Sequence, residues 1–160
     1  MNSAIDIRYA TAQDVDGIVA LFARVVDPLE IYSQAARSDE IRKFSQAELQ
    51  RRIAEDACAI SLAVVNNVLA GFAITEDQRG PIWINWYGVN PDHRGQGVGR
   101  AILQHMIASA SERGGTRIWC DTRTNNVASI ALLQGLGFEQ LCKLKSHWHG
   151  QDFYLWARDI

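Results

Sequence analysis

The sequence predicts a single α/β (α+β) domain built on a mixed sheet. Three observations carry that expectation. Apolar residues recur with period two in some stretches and at helical spacing in others, a basic glycine-rich loop joins a strand to a helix, and a strand, a long helix and another strand follow one another in mid-chain. That last order requires a right-handed crossover, so part of the sheet must be parallel, whereas the earlier strands are joined by short turns. The 160 residues suit one domain able to bury roughly 70% of its unfolded surface, and the chain is read as one unit over 1–160 without repeats or low-complexity tracts.

Ile5, Ile7 and Tyr9 alternate with Asp6, Arg8 and Ala10, the period of a half-buried first strand. Thr11, with Asp14 three residues on, is placed to cap a helix whose apolar face is Val15, Ile18, Val19, Phe22, Val25 and Val26. Residues 27–44 break this pattern at Pro28 and carry Glu30, Arg37, Asp39, Glu40, Arg42 and Lys43. They read either as a solvated helical connector or as a mobile wall over a substrate site. Ser45 and Glu48 have the spacing of a capping box and open a helix through about Asp56.

Residues 57–66 and 68–77 are β-rich runs joined at Asn66-Asn67, which tolerate positive φ and suit a tight hairpin. Gln78-Arg79-Gly80-Pro81 turns the chain into a third strand of this meander, residues 82–89. After the glycine-rich loop, Val98, Ile102, Leu103, Met106, Ile107 and Ala110 mark one face of a long helix stopped by Gly114-Gly115. A strand over 116–122 follows. Next comes a helix over 127–136, capped by Asn125-Asn126 and apolar nearly all round, which predicts burial. Residues 141–148 and 151–158 form a last hairpin turning near His149-Gly150.

A net charge of −2 without a long basic run argues against nucleic acid as a partner. No apolar run reaches the ~18 residues a membrane span needs, so no membrane partner is expected. The first residues lack a charged region followed by an apolar one, which places the chain in the cytoplasm. Cys58, Cys120 and Cys142 all fall in apolar stretches and are expected to be buried reduced thiols. His147 and His149 share one face of a strand but have no third ligand near, so they read as an edge pair contacting substrate or a partner subunit, and no metal is expected.

The basic character is local to Tyr87-Gly88-Val89-Asn90-Pro91-Asp92-His93-Arg94-Gly95-Gln96-Gly97-Val98-Gly99-Arg100. Such a loop exposes backbone N–H groups at the positive end of a helix, with Arg94 and Arg100 beside them. It is built to hold an anion, and a pyrophosphate fits best.

Two motifs here resemble the GNAT superfamily of N-acetyltransferases. Its cofactor motif, Gln/Arg-x-x-Gly-x-Gly/Ala, is matched by Arg94-Gly95-Gln96-Gly97-Val98-Gly99. Its second signature, an Asn capping a helix that ends in Gly-Phe, is matched by Asn126 and Gly137-Phe138. The resemblance implies a mixed, mostly antiparallel sheet of about six or seven strands, flanked by helices and splayed after the fourth strand. It also implies acetyl-CoA as acetyl donor. Tyr87 and Val89 would pair their backbone with the pantetheine arm, and an N–H near Val89 would polarise the thioester carbonyl. Arg94, Gly95, Gln96, Gly97, Val98, Gly99 and Arg100 would take the pyrophosphate, and Asn126 would bond the pantetheine. Gly97 and Gly99 are expected to let the anion approach the backbone closely.

Acetyl transfer to an amine needs a neutral nucleophile, a stabilised oxyanion and often a proton for the leaving thiolate. Asp121 lies near the end of a strand where several members carry a catalytic Glu, and is the candidate base. A helix-charge role is its alternative. Leu133 stands where many members carry a proton-donating Tyr. The candidate acids are therefore Tyr154 and, beside the cofactor stretch, Tyr87, unless the thiolate leaves unaided. Asn85 stands where other members carry an acidic base, and an amide there can only position a water.

The expected activity is acetyl-CoA-dependent N-acetyl transfer to a primary amine by direct attack in a ternary complex. The acceptor is a small-molecule amine or a protein N-terminus, with an apolar part if Trp83 or Trp148 lines the site. A catalytically weak CoA-binding sensor and a plain nucleotide-phosphate binder are the alternatives. Residues 27–44 and the last hairpin are expected to frame the acceptor, and the hairpin also offers a surface for a homodimer.

Overall fold

The structure, a computed structural model, describes residues 4–160. Its elements run β1 (Asp6–Tyr9), α1 (Val15–Val26), α2 (Gln34–Lys43), α3 (Gln46–Glu55), β2 (Ile60–Val65), β3 (Val68–Asp77), β4 (Pro81–Val89), α4 (Val98–Glu112), β5 (Arg117–Arg123), α5 (Val127–Gly135), β6 (Glu139–Trp148) and β7 (Gln151–Asp159). The seven strands form one sheet in the order β1-β2-β3-β4-β5-β7-β6, so β7 inserts between β5 and β6. Every neighbouring pair is antiparallel except β4 and β5.

That one parallel contact is short. Pro81, Ile82 and Trp83 pair with Arg117, Ile118 and Trp119, and no pairing continues beyond them. The sheet therefore splays from the middle of β4 onward, as the motif resemblance implies.

Helices cover both faces for reasons legible in their apolar stripes. On one side Phe22 of α1, Phe44 at the end of α2 and Leu49 of α3 pack against Ile60, Leu62, Phe72 and Ile74. On the other, Val98 and Ile102 of α4 lie against Ala63, Val65, Ala70 and Ala73. Leu103 and Met106 continue the same helix over Ile82, Ile84, Ile118, Cys120 and Trp156. The small residues of β2 and β3 let α4 approach closely. A Cβ built on Gly71 would stand 2.7 Å from Ile102 Cδ1 and 2.9 Å from the Gly88 carbonyl oxygen.

One irregularity was invisible in the sequence. Ile74 lies opposite Trp86 and Thr75 opposite Ile84, which leaves Asn85 as the extra residue of a β-bulge. Ile82 and Ile84 thus face α4, whereas Trp86 packs on Phe22 and Phe72 across the sheet.

Local signals account for several ends. The Thr11 N–H donates to the Asp14 carboxylate at 2.8 Å, and Arg8 holds that carboxylate with both terminal nitrogens, so a short 3₁₀ turn leads into α1. Ser45 Oγ accepts from the Glu48 N–H at the start of α3. Asn66 and Asn67, at φ 50° and 62°, make the β2–β3 turn.

Three expectations need correction. Residues 27–44 are more than a solvated connector: Ser33 caps α2, and Ala36, Glu40 and Phe44 are buried. α5 is not buried all round, for Val127 is 74% exposed and only Leu133 within it is fully enclosed. In this helix Ala128 and Ala131 are exposed as well, so small apolar residues face outward. Of the cysteines, Cys120 alone is buried; Cys58 is half-buried and Cys142 is exposed, because β6 is an edge strand covered by little. Among the described residues no helix is long and apolar enough to cross a membrane.

Gly71→Ala is expected to lower stability by about 1–3 kcal/mol, since the strain at α4 exceeds the ~0.5 kcal/mol gained from a stiffer unfolded chain. A reduced urea midpoint with unchanged slope is the result to look for.

Candidate active site

Two features converge at the open end of the splay, and the first is the loop between β4 and α4. Asn90 closes β4 by accepting from the Asp92 N–H and donating to the Leu69 carbonyl, both at 3.2 Å. Gly95 and Gly97 then take φ of 75° and 82°, a conformation that glycine adopts without penalty. No protein atom lies within 4 Å of a Cβ built on either, so the space above them is open. The first intrahelical bond of α4 runs from the Ala101 N–H to the Gly97 carbonyl. The N–H groups of Val98, Gly99 and Arg100 are therefore left over at the positive end of the helix.

Gly99 is small for another reason: its Cβ would press on Leu132 and Val89, at 3.3 and 3.4 Å. Its role in this structure is helix packing. Arg100 Nη1 donates to the Gly135 carbonyl at 3.3 Å and ties α4 to α5. Arg94 and Gln96 are exposed on the loop, with Gln96 Nε2 donating to the Asp92 carbonyl at 3.2 Å.

The second feature is the gap itself. Beyond Trp83 the edge of β4 that faces β5 has no strand partner among the described residues. A cavity of about 340 Å³ fills the opening, with Asn85, Trp86 and Tyr87 on one wall and Asp121, Thr122 and Arg123 on the other. Asn126 and Ser129 of the α5 end border it on the α4 side. Tyr32, Glu40, Lys43, His147 and Trp148 border it on the α2 side. The cavity thus passes through the sheet and joins the two faces. Both Trp83 and Trp148 line it.

Asp121 sits half-buried in this opening. Burial pushes its carboxyl above the ordinary range, while His147, Lys43 and Arg123 pull the other way. His147 Nε2 lies 3.4 Å from Asp121 Oδ2. Glu40, 8% exposed, is likewise raised by burial, and its Oε2 has no hydrogen-bond partner.

Arg123 is 2% exposed. Its guanidinium lies 3.8 Å from the centre of the Tyr32 ring, with Phe153 and Trp148 at 5.3 and 5.5 Å. Nη1 donates to the Ile31 carbonyl at 3.0 Å, and Nε and Nη2 have no hydrogen-bond partner. Sequence reasoning missed both Glu40, hidden in a run of charges, and Arg123. The available signal was the spacing of Asp121 and Arg123, which puts two charges on one face of a central strand.

The other candidates separate. The Tyr87 hydroxyl is buried in the cavity facing Ser129 without a well-aligned hydrogen bond, and burial pushes its pKa well up. Tyr154 pairs with Thr122 and Lys143 and packs edge-on against Trp156; it lies next to the cavity wall at Thr122 and Phe153 without lining the cavity itself. Asn85 Oδ1 accepts from Arg52 Nη1 at 2.8 Å, and Asn126 Oδ1 from the Ser129 N–H at 3.3 Å. Leu133 is wholly buried in the core. The two histidines do not act as a pair. His147 turns to Asp121, while His149, in the turn at φ 48°, lies 2.8 Å from Asp39 and links the hairpin to α2.

Known proteins resemble the chain in sequence and in fold. The model of the acetyltransferase (GNAT) family matches residues 25–138. The [Ribosomal protein bS18]-alanine N-acetyltransferase of Escherichia coli (strain K12) is 34% identical over 87 residues, which is 54% of this chain; the match spans only 59% of that relative's length. Among solved structures, the ribosomal-protein-S18-alanine N-acetyltransferase from Escherichia coli superposes with a TM-score of 0.79 at 23% identity, covering 98% of this chain and 94% of the other. PaiA N-acetyltransferase from Thermoplasma acidophilum, in complex with coenzyme A, gives 0.83 at 15% identity, covering 98% and 99%.

The raised carboxyl of Glu40 has a definite sign in stability. Its contribution is fully present below the ordinary value of 4.5 and is lost as pH rises through the higher folded value. Glu40→Gln removes that loss. The variant is expected to melt higher than the parent at pH 8, with the difference closing near pH 4, in thermal scans across that range.

Proposed function

The chain belongs to the GNAT acetyltransferase family, and from that premise we propose that it moves an acetyl group from acetyl-CoA to a primary amine by direct attack in a ternary complex. The observation that carries this reading is the meeting of two features at one opening: an anion-binding helix start and a strand edge left unpaired by the splay. The residues fit the donor. The left-handed glycines leave clear space over three unused N–H groups, and the open edge of β4 suits an extended arm.

In this reading the N–H groups of Val98, Gly99 and Arg100 hold the pyrophosphate, with Arg94 as the exposed cation beside them. Tyr87 and Val89 bond the pantetheine through their backbone, as an added strand would. Acetyl-CoA, when bound, supplies the thioester and the thiolate leaving group. Asp121 takes the proton of the attacking ammonium, its raised pKa bringing it nearer to neutral pH, where a base works best. His147, beside it, passes that proton toward solvent.

Tyr87 is a better donor to the leaving sulfur than Tyr154, because its hydroxyl lies in the cavity near the start of α5. Its raised pKa keeps the proton on the oxygen, so it assists as a hydrogen-bond donor. The acceptor enters from the α2 side. A protein amino terminus, as the name of the bS18-alanine relative indicates for that enzyme, is one class that fits, and a small free amine is another. A CoA-binding sensor without turnover is the second reading, favoured by the buried Leu133 where a proton donor would stand.

Acetyl-CoA is expected to raise the melting temperature where ATP and NAD do not, and Gly97→Trp to lose that shift while folding normally. Asp121→Asn should keep the shift and lower kcat about 10²–10⁴-fold in a thiol-release assay. Tyr87→Phe should slow turnover more than Tyr154→Phe; the reverse order would move the acid to β7.

A further inference from the structure

We propose that Asp39 and His149 fasten a strap across the α2-side mouth of the cavity, and that this strap sets the size of acceptor the site takes. Short amines pass beneath it, whereas an acceptor that continues as a chain must displace it. The inference rests on the acetyltransferase reading above and names what governs entry to that same site.

A splayed sheet poses a mechanical problem. Past Trp83 and Trp119 no ladder joins β4 to β5 among the described residues, so side chains hold the two parts of the sheet at that end. One part carries α2: Tyr32, just before this helix, lies 6.3 Å from Trp86 of β4 between ring centres, and Phe44 at its end shares the cluster that holds Trp86. The other part carries the β6–β7 hairpin, because β7 pairs with β5 from Arg117 to Arg123. A contact between the α2 region and the hairpin tip therefore spans the opening. Arg123, 2% exposed, donates to the Ile31 carbonyl and packs on Tyr32 as a buried anchor. Trp148 meets Tyr32 edge-on at 6.2 Å. His149 Nε2 lies 2.8 Å from Asp39 Oδ2, and both side chains stay partly open to solvent, so water competes for this rim contact.

The tip is built to move apart from its strands. β6 and β7 pair as far as Leu144 and Phe153 and resume at Trp148 and Gln151, which leaves residues 145–147 outside the ladder. Ser146 and His149 hold φ of 46° and 48°, in the left-handed region that costs most side chains free energy. A segment with little ladder and some backbone strain keeps its place through tertiary contacts, here His147 with Asp121 and His149 with Asp39. The His149 and Trp148 rings meet edge to face at 4.3 Å, so release of His149 also frees Trp148, which lines the cavity. With the donor on the α4 side, a chain attached to the reacting amine leaves by the α2-side mouth, where the strap crosses. Its apparent affinity then falls by the fraction of molecules in which the strap is open, whereas a short amine binds either state.

The test uses the full chain with acetyl-CoA and compares kcat/KM for alaninamide, butylamine and a six-residue peptide that begins with alanine. Asp39→Ala is expected to raise the value for the peptide by about 3–10-fold, mainly through a lower KM, and to leave the two short amines unchanged. His149→Gly suits the left-handed turn and should act in the same way. The double variant should match either single one, because both break one contact. Hydrogen exchange of residues 145–150 should quicken in each variant, with the acetyl-CoA thermal shift retained as the check on folding.

Equal changes for the peptide and the short amines, or no change in any of them, would overturn selection by size while leaving acetyl transfer intact. Unchanged exchange at the tip would overturn the strap itself. Absence of thiol release with every acceptor would overturn the acetyltransferase reading and the strap's role in selection with it.

Discussion

The organisation of this protein depends on where one ladder of hydrogen bonds stops. β4 and β5 pair over three residues and then part, although both strands continue. Backbone groups along the free edge cannot be left buried without partners, so the opening must face solvent or a ligand. The same parting sets the starts of α4 and α5 on either side of one mouth. Glycine loop, cavity and facing wall are therefore consequences of a single topological fact: the crossover through α4 makes β5 parallel to β4, while β7 holds β5 along its whole other edge.

Much of this was legible in the sequence. The meander, the long helix and the last hairpin followed from periods of two and 3.6 and from turn residues such as Asn66-Asn67. The glycine loop and the Asn126 cap were legible because each is a contiguous motif. The wall on the α2 side was not legible for the opposite reason. It is assembled from α2, β5 and the β6–β7 hairpin, and its members look ordinary where they stand. Glu40 sits among surface charges, and its burial depends on α2 lying across Trp86 and the gap. Arg123 falls one residue beyond the predicted end of its strand. α5 misled through composition, since apolar residues on every side say nothing about how many sides are covered.

The cavity also sets stability against use. Glu40, Asp121 and Arg123 are charged groups withdrawn from water, and withdrawal of this kind opposes folding unless partners compensate. Here compensation is partial. Arg123 has its aromatic faces and one carbonyl, and Asp121 has His147. The remainder is carried by the two apolar layers on either side of the sheet. The withdrawal that costs stability also makes Asp121 hold its proton more tightly and strengthens each polar contact inside the opening.

The bulge at Asn85 gives β4 an unusual grammar. An uninterrupted strand has one parity, with odd positions on one side and even positions on the other. β4 changes parity midway, so Ile84 and Tyr87 look the same way although an odd number of steps separates them. The strand is in effect two reading frames spliced at one residue. The first frame seats it in the core, and the second presents Tyr87 to the opening. A single inserted or lost residue here would leave the composition almost untouched and yet invert everything downstream, up to the mouth of the glycine loop. For this reason length, more than residue identity, is the property of β4 that the rest of the molecule cannot tolerate changing.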